Sequence, residues 1–256
     1  MLDFRRRNDP WGRGMSGSAD TDTRIDEIAD GIYRIATPLP PSVAPGGFSF
    51  SQYLIVDDQP LLFHTGLRRS FPEVRAAVQR VMPVERLRWI SFSHFEADEC
   101  GALNEFLAVA PDAAPLCGGI AAMVSVNDFA DRRPRTLADG ELVSLGRHTL
   151  RWIETPHLPH AWECGFLMER KTRTLLCGDL FTEGGADHPP LSSADILEPS
   201  ERFRQALDYY SHTRGARAML ARLARESPTT LARMHGSAWQ GEGAKLLMAL
   251  ADRLEG

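Results

Sequence analysis

A short apolar run, Leu87 to Phe92, breaks directly into Ser93-His94-Phe95-Glu96-Ala97-Asp98-Glu99, after which apolar residues return at helical spacing as Leu103, Phe106, Leu107 and Ala110. The pattern predicts a strand that turns straight into a helix, with three ligand-type side chains on alternate positions at the junction. An extended backbone puts such residues on one face, and the turn then folds His94, Glu96 and Asp98 toward one point. A plainer reading competes with this one. Asp98 or Glu99 can sit at the start of the helix, where the dipole favours negative charge, and His94 can be a satisfied core histidine. On this segment alone the two readings weigh evenly.

Residues of the same kind recur downstream at the ends of other predicted strands. His160 ends the loop Thr155-Pro-His-Leu-Pro-His160, which follows a strand predicted at Thr149–Glu154. Asp179 closes Leu175-Leu-Cys-Gly-Asp179, where Gly178 permits a tight turn. His235 follows the run Thr229–Met234 and precedes Gly236. Three histidines and three carboxylates at successive strand ends are more than caps and core histidines require, and they predict a metal centre at one sheet edge. Six donors exceed the needs of one ion, whereas two ions about 3.5–4 Å apart can share a carboxylate. Asp179 is the natural bridge. Hard carboxylate donors favour iron or manganese over zinc, although zinc accepts them too.

Around these residues the chain predicts two groups of strands. Gly31–Ile35, Ser51–Val56 and Pro60–His64 follow one another without a helix, which suggests an antiparallel meander, with Asp57-Asp58-Gln59-Pro60 as its last turn. A helix is predicted over Phe71–Val81, with Ser70 as cap and Pro72 in the first turn. Later strands fall near Glu141–Leu145, Thr149–Glu154, Gly165–Glu169 and Thr174–Cys177, and helices near Ser200–Tyr210, Thr213–Arg225 and Trp239–Leu254. Strands clustered in both halves, each with helices, predict a four-layer αββα sandwich of two mixed β-sheets flanked by helices.

Composition narrows the function. At 256 residues, 43% apolar and 25% charged, the chain suits one large domain, read as residues 24–256. Residues 1–23, rich in Gly, Ser, Asp and Arg, are read as a disordered tail. The net charge of -5, with Arg5-Arg6-Arg7 as the only basic run, argues against nucleic acid. The sequence has neither a signal-like apolar start nor a membrane-length apolar run, so a cytoplasmic protein without membrane contact is expected. Cys100, Cys117, Cys164 and Cys177 form no CxxC pair and are read as reduced thiols.

On the residues quoted above, the chain resembles the metallo-β-lactamase superfamily from about Ile25 onward, and within it the flavodiiron and oxygen-binding di-iron branch. Hydrolases of the superfamily usually carry His-x-His-x-Asp-His. The di-iron branch carries His-x-Glu-x-Asp, a further histidine, an aspartate 19 positions later and a final histidine. Here the series reads His94-Phe-Glu96-Ala-Asp98, His160, Asp179, His235, and the 19-residue spacing selects His160 over His157. The resemblance implies one iron held by His94, Glu96 and His160, another by Asp98 and His235, and Asp179 bridging. Glu99 is a departure, because the resembling proteins mostly carry a histidine there. The second iron then lacks a ligand, uses a water or gains a third carboxylate. His157 and Glu99 are expected just behind the ligands. His64 stands where many members have an Asp and is read as structural, bonded to neighbouring loop backbone.

The resemblance implies two metal ions, iron favoured with zinc or manganese as alternatives, in a protein that binds, senses or reduces dioxygen or nitric oxide. Electrons or readout would come through a separate redox or signalling protein, and a homodimer is left open. Flavodiiron proteins continue into an FMN-binding domain, whereas this chain stops soon after His235 and shows no flavin phosphate loop. No flavin-binding residues are therefore expected. The alternative is a dinuclear zinc hydrolase acting on an ester, thioester, lactam or phosphodiester. Glu96 and Glu99 weigh against it by adding negative charge and lowering Lewis acidity. Phe95, Trp162, Phe181 and Trp239 lie close to the ligands in sequence and form either a dry wall over the metals or plain core.

Overall fold

Runs such as Gly165–Glu169 and Thr174–Gly178 are buried along their whole length, so a sheet containing them needs cover on both faces. The computed structural model, which describes residues 23–255 apart from 43 and 45, supplies that cover with two seven-stranded sheets packed face to face. The first holds β1 (Arg24–Ala29), β2 (Ile32–Leu39), β3 (Phe48–Ile55), β4 (Leu61–Phe63), β5 (Trp89–Ser91), β6 (Ala114–Gly118) and β7 (Arg135–Leu137), side by side in that order. The second holds β8 (Leu142–Ser144), β9 (Thr149–Glu154), β10 (Gly165–Glu169), β11 (Thr174–Gly178), β12 (Leu191–Ser192), β13 (Thr230–Arg233) and β14 (Ala238–Gln240), in the order β12-β14-β13-β11-β10-β9-β8. Both sheets are mixed. The meander β1 to β4 is antiparallel and β4 to β7 run parallel. In the second sheet β8 to β11 are antiparallel, while β11 pairs in parallel with β13.

The helices are α1 (Phe71–Gln79), α2 (Ala97–Cys100), α3 (Leu103–Val109), α4 (Gly119–Ala121), α5 (Asn127–Phe129), α6 (Leu197–Leu207), α7 (Ala216–Arg225) and α8 (Gly243–Glu255). Alternation along the strands decides the layers. Leu54, Leu62 and Ile90 face Val74, Val78, Leu103 and Phe106 of α1 and α3. Tyr53, Phe63 and Leu116 point the other way, against Trp152, Leu167 and Leu176 of the second sheet. Leu220, Leu223, Leu247 and Leu250 of α7 and α8 cover the far side. The result is the expected αββα order. No helix among the described residues is long and apolar enough to cross a membrane.

Trp152 fills the space between the sheets because two glycines make room for it. A Cβ on Gly165 would lie 2.2 Å from the indole, and one on Gly118 would lie 3.1 Å away. Gly165→Ala is therefore expected to lower stability by about 1–3 kcal/mol through overpacking. Gly119→Ala, which meets nothing within 4 Å, is the control. Urea midpoints of the two variants check this, and equal midpoints would contradict it.

Several expectations shift in detail. The tail reading for residues 1–22 lies outside the described residues, but Thr23 is buried and its carbonyl accepts a bond from Arg80. Ser70 does stand at the N-cap of α1, yet its side chain makes no capping bond, since it closes a preceding turn of 3-10 helix. Strands β6 and β7 and the helical run from α4 to α5 occupy a stretch without predicted elements. The last helix begins at Gly243, because Trp239 belongs instead to β14, paired with β13.

Candidate metal centre

The ligand-type residues gather where β5, β9, β11 and β13 end. His94 lies three residues past β5, and Glu96 continues in extended backbone (φ -138°, ψ 159°) before Asp98 enters α2. His160 follows β9, Asp179 is the first residue after β11, and His235 is the second after β13. Bonds between the two sheets hold these ends together. Ser51 N donates to Met234 O at 2.8 Å, and Gly165 N donates to Ser93 O at 2.9 Å. At Gly178 (φ +48°) a Cβ would fall 2.5 Å from Ser93 Oγ, so the turn into Asp179 needs glycine for both conformation and space.

One atom each from His94, Glu96, His160 and Asp179 can be chosen so that all lie within 4.8 Å of one another. His94 Nε2 is 2.8 Å from Glu96 Oε2 and 2.9 Å from His160 Nε2, and His160 Nε2 is 3.4 Å from Asp179 Oδ2. The other oxygen of Asp179 faces the opposite way, with Oδ1 3.2 Å from His235 Nε2. That same Nε2 lies 3.5 Å from Asp98 Oδ2. Asp179 thus turns one oxygen to each of two donor groups. All six predicted residues come together, four in the tighter group and Asp98 with His235 beside it. His94, His235 and Asp179 are buried, whereas the Glu96 side chain is 54% exposed, so the centre opens to solvent on the Glu96 side.

The arrangement is one of facing acceptors. His235 Nδ1 lies 2.9 Å from Ser49 O and donates to it in the neutral ring, which leaves the lone pair of Nε2 pointing at two carboxylates. His94 Nδ1 is 2.9 Å from Ser93 Oγ, and its Nε2 looks at the Nε2 of His160. Facing lone pairs need a cation between them, either protons or metal ions. In the metal-free protein the protons respond accordingly. Burial works against a charge on His94, but contacts with Cys164 and Glu96, and the nearby charges of Glu99 and Asp179, carry its pKa well above the ordinary value. His235 is raised in the same way, with burial outweighed by Asp179 and Asp98. Hydrogen bonds from His160 and His94 hold the Glu96 carboxyl down at about 2. Burial pushes Asp98 up to about 6.

A pH prediction follows from these directions. Metal can enter at His94 and His235 only by displacing a proton, so binding at pH 7 is expected to release about one to two protons per chain. Affinity should fall roughly tenfold per pH unit for each coupled proton as pH drops, and faster below pH 6 as Asp98 protonates. Calorimetry in buffers of different ionisation enthalpy measures the release. Proton uptake, or none at all, would contradict the prediction.

Other expected neighbours are placed differently. Glu99 and His64 are both fully buried and pair with each other. The second oxygen of Glu99 lies 3.9 Å from His94 Nδ1, on the side of that ring away from Glu96. His64 Nδ1 also sits 3.4 Å from Ser51 O. His157 is exposed in its loop, with its N–H donating to Ala161 O and its carbonyl accepting from Ser211, so it does not stand behind the ligands. Phe181 and Trp239 are core, and Trp162 is 54% exposed. Phe95 packs edge-on against Phe92 and Phe129.

The aromatic surface beside the ligands comes from elsewhere. Phe48 stacks on the His235 ring at 4.3 Å, Phe203 stacks on Phe48 at 5.8 Å, and Tyr209 stands edge-on to His160 at 6.0 Å. Two buried arginines also escape the sequence reading. Arg34 donates to Gly236 O at 2.7 Å. Arg233 donates to Phe181 O and Ser237 O, both at 2.6 Å, and to Glu183 Oε2 at 2.7 Å. They tie down the segments that follow Asp179 and His235. The one signal available was an arginine inside each of two apolar strands, Ile32–Leu39 and Thr230–Arg233.

Comparison with known proteins agrees with this architecture. Residues 48–236 match the family model described as ODP family beta lactamase. The sequence is 26% identical over 220 residues to a nitric oxide reductase of Moorella thermoacetica, an alignment covering 82% of this chain and 54% of that protein. The structure superposes on residues 1–254 of diflavin flavoprotein A 5 from Nostoc sp. PCC 7120 with a TM-score of 0.80 and 16% identity, covering 92% of this chain and 96% of that one. It superposes on the Flv1 flavodiiron core from Synechocystis sp. PCC6803 with a TM-score of 0.76 and 18% identity, covering 91% of this chain and 61% of that one. The chain spans about half the length of the curated relatives it matches.

Proposed function

Because this chain belongs to the ODP family of beta lactamases, we propose that it is a di-iron protein that binds or reduces dioxygen or nitric oxide with electrons from a separate donor. The observation that carries the reading is Asp179, whose two oxygens face two donor groups, as a bridging carboxylate between two ions must. His94, Glu96 and His160 would hold one iron, and Asp98 and His235 the other. A pair of ferrous ions supplies reducing electrons and open coordination positions to a small diatomic ligand. The protein's part is to hold the donors and limit water. Ser93 and Ser49 fix the orientation of His94 and His235. Phe48 covers the His235 face. Tyr209 donates to Asp179 O at 3.2 Å and so steadies the bridge from behind.

The relatives' names support the substrate class, since one is a nitric oxide reductase and another a rubredoxin-oxygen oxidoreductase. A cytoplasmic location belongs to the same reading, supported by four buried free cysteines. The test is anaerobic loading with ferrous iron, metal analysis, and measurement of dioxygen and nitric oxide consumption with a supplied chemical reductant. Two irons per chain with sustained turnover are expected. Iron binding without turnover would point to a sensor. Two zinc ions with ester hydrolysis would replace the reading with the hydrolase alternative.

A further inference from the structure

We propose that the two metal positions bind unequally: the one formed by His94, Glu96, His160 and Asp179 fills first, and the one formed by Asp98, His235 and Asp179 fills weakly because Glu99 is committed to His64. The proposal rests on the metal-centre reading above. Four donors are already gathered in the first position. In the second, His235 Nε2 faces, among the described residues, Asp98 at 3.5 Å and Asp179 at 3.2 Å.

Glu99 immediately follows Asp98 and is the obvious residue to complete the second position, but its carboxylate is turned elsewhere. The side chains of Glu99 and His64 are both 0% exposed and lie against each other, Glu99 Oε2 facing His64 Nε2. The remaining oxygen of Glu99 lies 3.9 Å from His94 Nδ1, behind the ring whose Nε2 faces the first position. Moving Glu99 to the second metal would strand His64 in the core without its partner, and an uncompensated buried charge or donor is strongly unfavourable. His64 is itself pinned, with φ +65° and Ser51 O beside its other nitrogen. Glu99 is thus turned toward His64 rather than available as a ligand, and the second metal has one protein donor fewer than the first.

The experiment is a titration of the metal-free chain with Mn2+, followed by calorimetry and by the EPR signal of the free ion, repeated with Fe2+ without oxygen. Two steps are expected, the second at least about tenfold weaker, the order of effect that incomplete support of a metal site has. In Glu99→Gln the total should stay at two, with the second step unchanged within about threefold, and near-UV circular dichroism reports whether that variant keeps its packing. Two equal steps in the unaltered chain would overturn the proposal without reference to any variant. So would loss of the second equivalent in a folded Glu99→Gln. Failure to bind either equivalent would sink both this proposal and the metal-centre reading. Unequal zinc binding with ester turnover would sink only the iron reading.

Discussion

Asp179→Asn is expected to abolish tight metal binding at both positions, lowering affinity by more than about 100-fold, since even groups that merely support ligands are worth 10–100-fold. The reason is its shared role. Oδ2 lies 3.4 Å from His160 Nε2 and 3.8 Å from His94 Nε2, while Oδ1 lies 3.2 Å from His235 Nε2. Asparagine keeps the shape but removes the charge and puts an NH2 where one metal must sit. Glu96→Gln touches only the first group, so it should lose one equivalent and retain a weak second. Titration of each metal-free variant with Mn2+ separates the two. If Asp179→Asn kept one tight equivalent, the bridging assignment would be wrong.

The same substitution bears on pH stability. Burial alone would raise the carboxyl of Asp179, but the hydrogen bond from His235 and the charges of His235, His94 and His160 hold it well below the ordinary 3.8. A depressed carboxylate stabilises the fold above its unfolded pKa, and that contribution is lost as pH falls from about 3.8 toward the folded value. The metal-free Asn variant should lack this part of the acid dependence.

Arg233→Met is expected to have the largest effect on stability, about 3–5 kcal/mol, because it removes a buried guanidinium and strands the groups that it serves. The guanidinium serves Phe181 O, Ser237 O and Glu183 Oε2 at 2.6–2.7 Å. A methionine fills the space without serving any of them. A lysine has no planar fork with which to serve three directions at once. Gly236 is adapted to the guanidinium, since a Cβ there would fall 2.6 Å from it. The bonds of Arg233 run to the segments that carry Asp179 and His235, so metal content should fall together with the urea midpoint. A large stability loss with metal affinity intact would show that Arg233 supports the core without positioning the centre.

Much of this architecture could be read before folding. Strands β9 and β10 run over the residues predicted for them, and β11 extends only to Gly178, because apolar runs bounded by turn residues carry their own limits. The gathering of the six candidate donors was also legible, since a metal centre would demand such side chains and strand ends are where they converge. Strands β6, β7 and β14 were not. Three of the five residues in Ala114–Gly118 are Ala, Pro and Gly, which do not favour extended structure, and the ladder with β5 and β7 makes the strand. Trp239 fits a helix pattern locally, but it pairs with Leu231 of β13.

What the sequence determined by itself was the set of candidate donors and the order of layers, because both depend on residue type and short-range spacing. Only the tertiary structure decided how the donors are divided and which groups stand behind them. His64 and Glu99 are separated by 35 positions, and Arg34 and Gly236 by 202. No local pattern links either pair. Their meeting is set by how the strands align within each sheet and how the two sheets stack, and that long-range packing turns Glu99 toward His64.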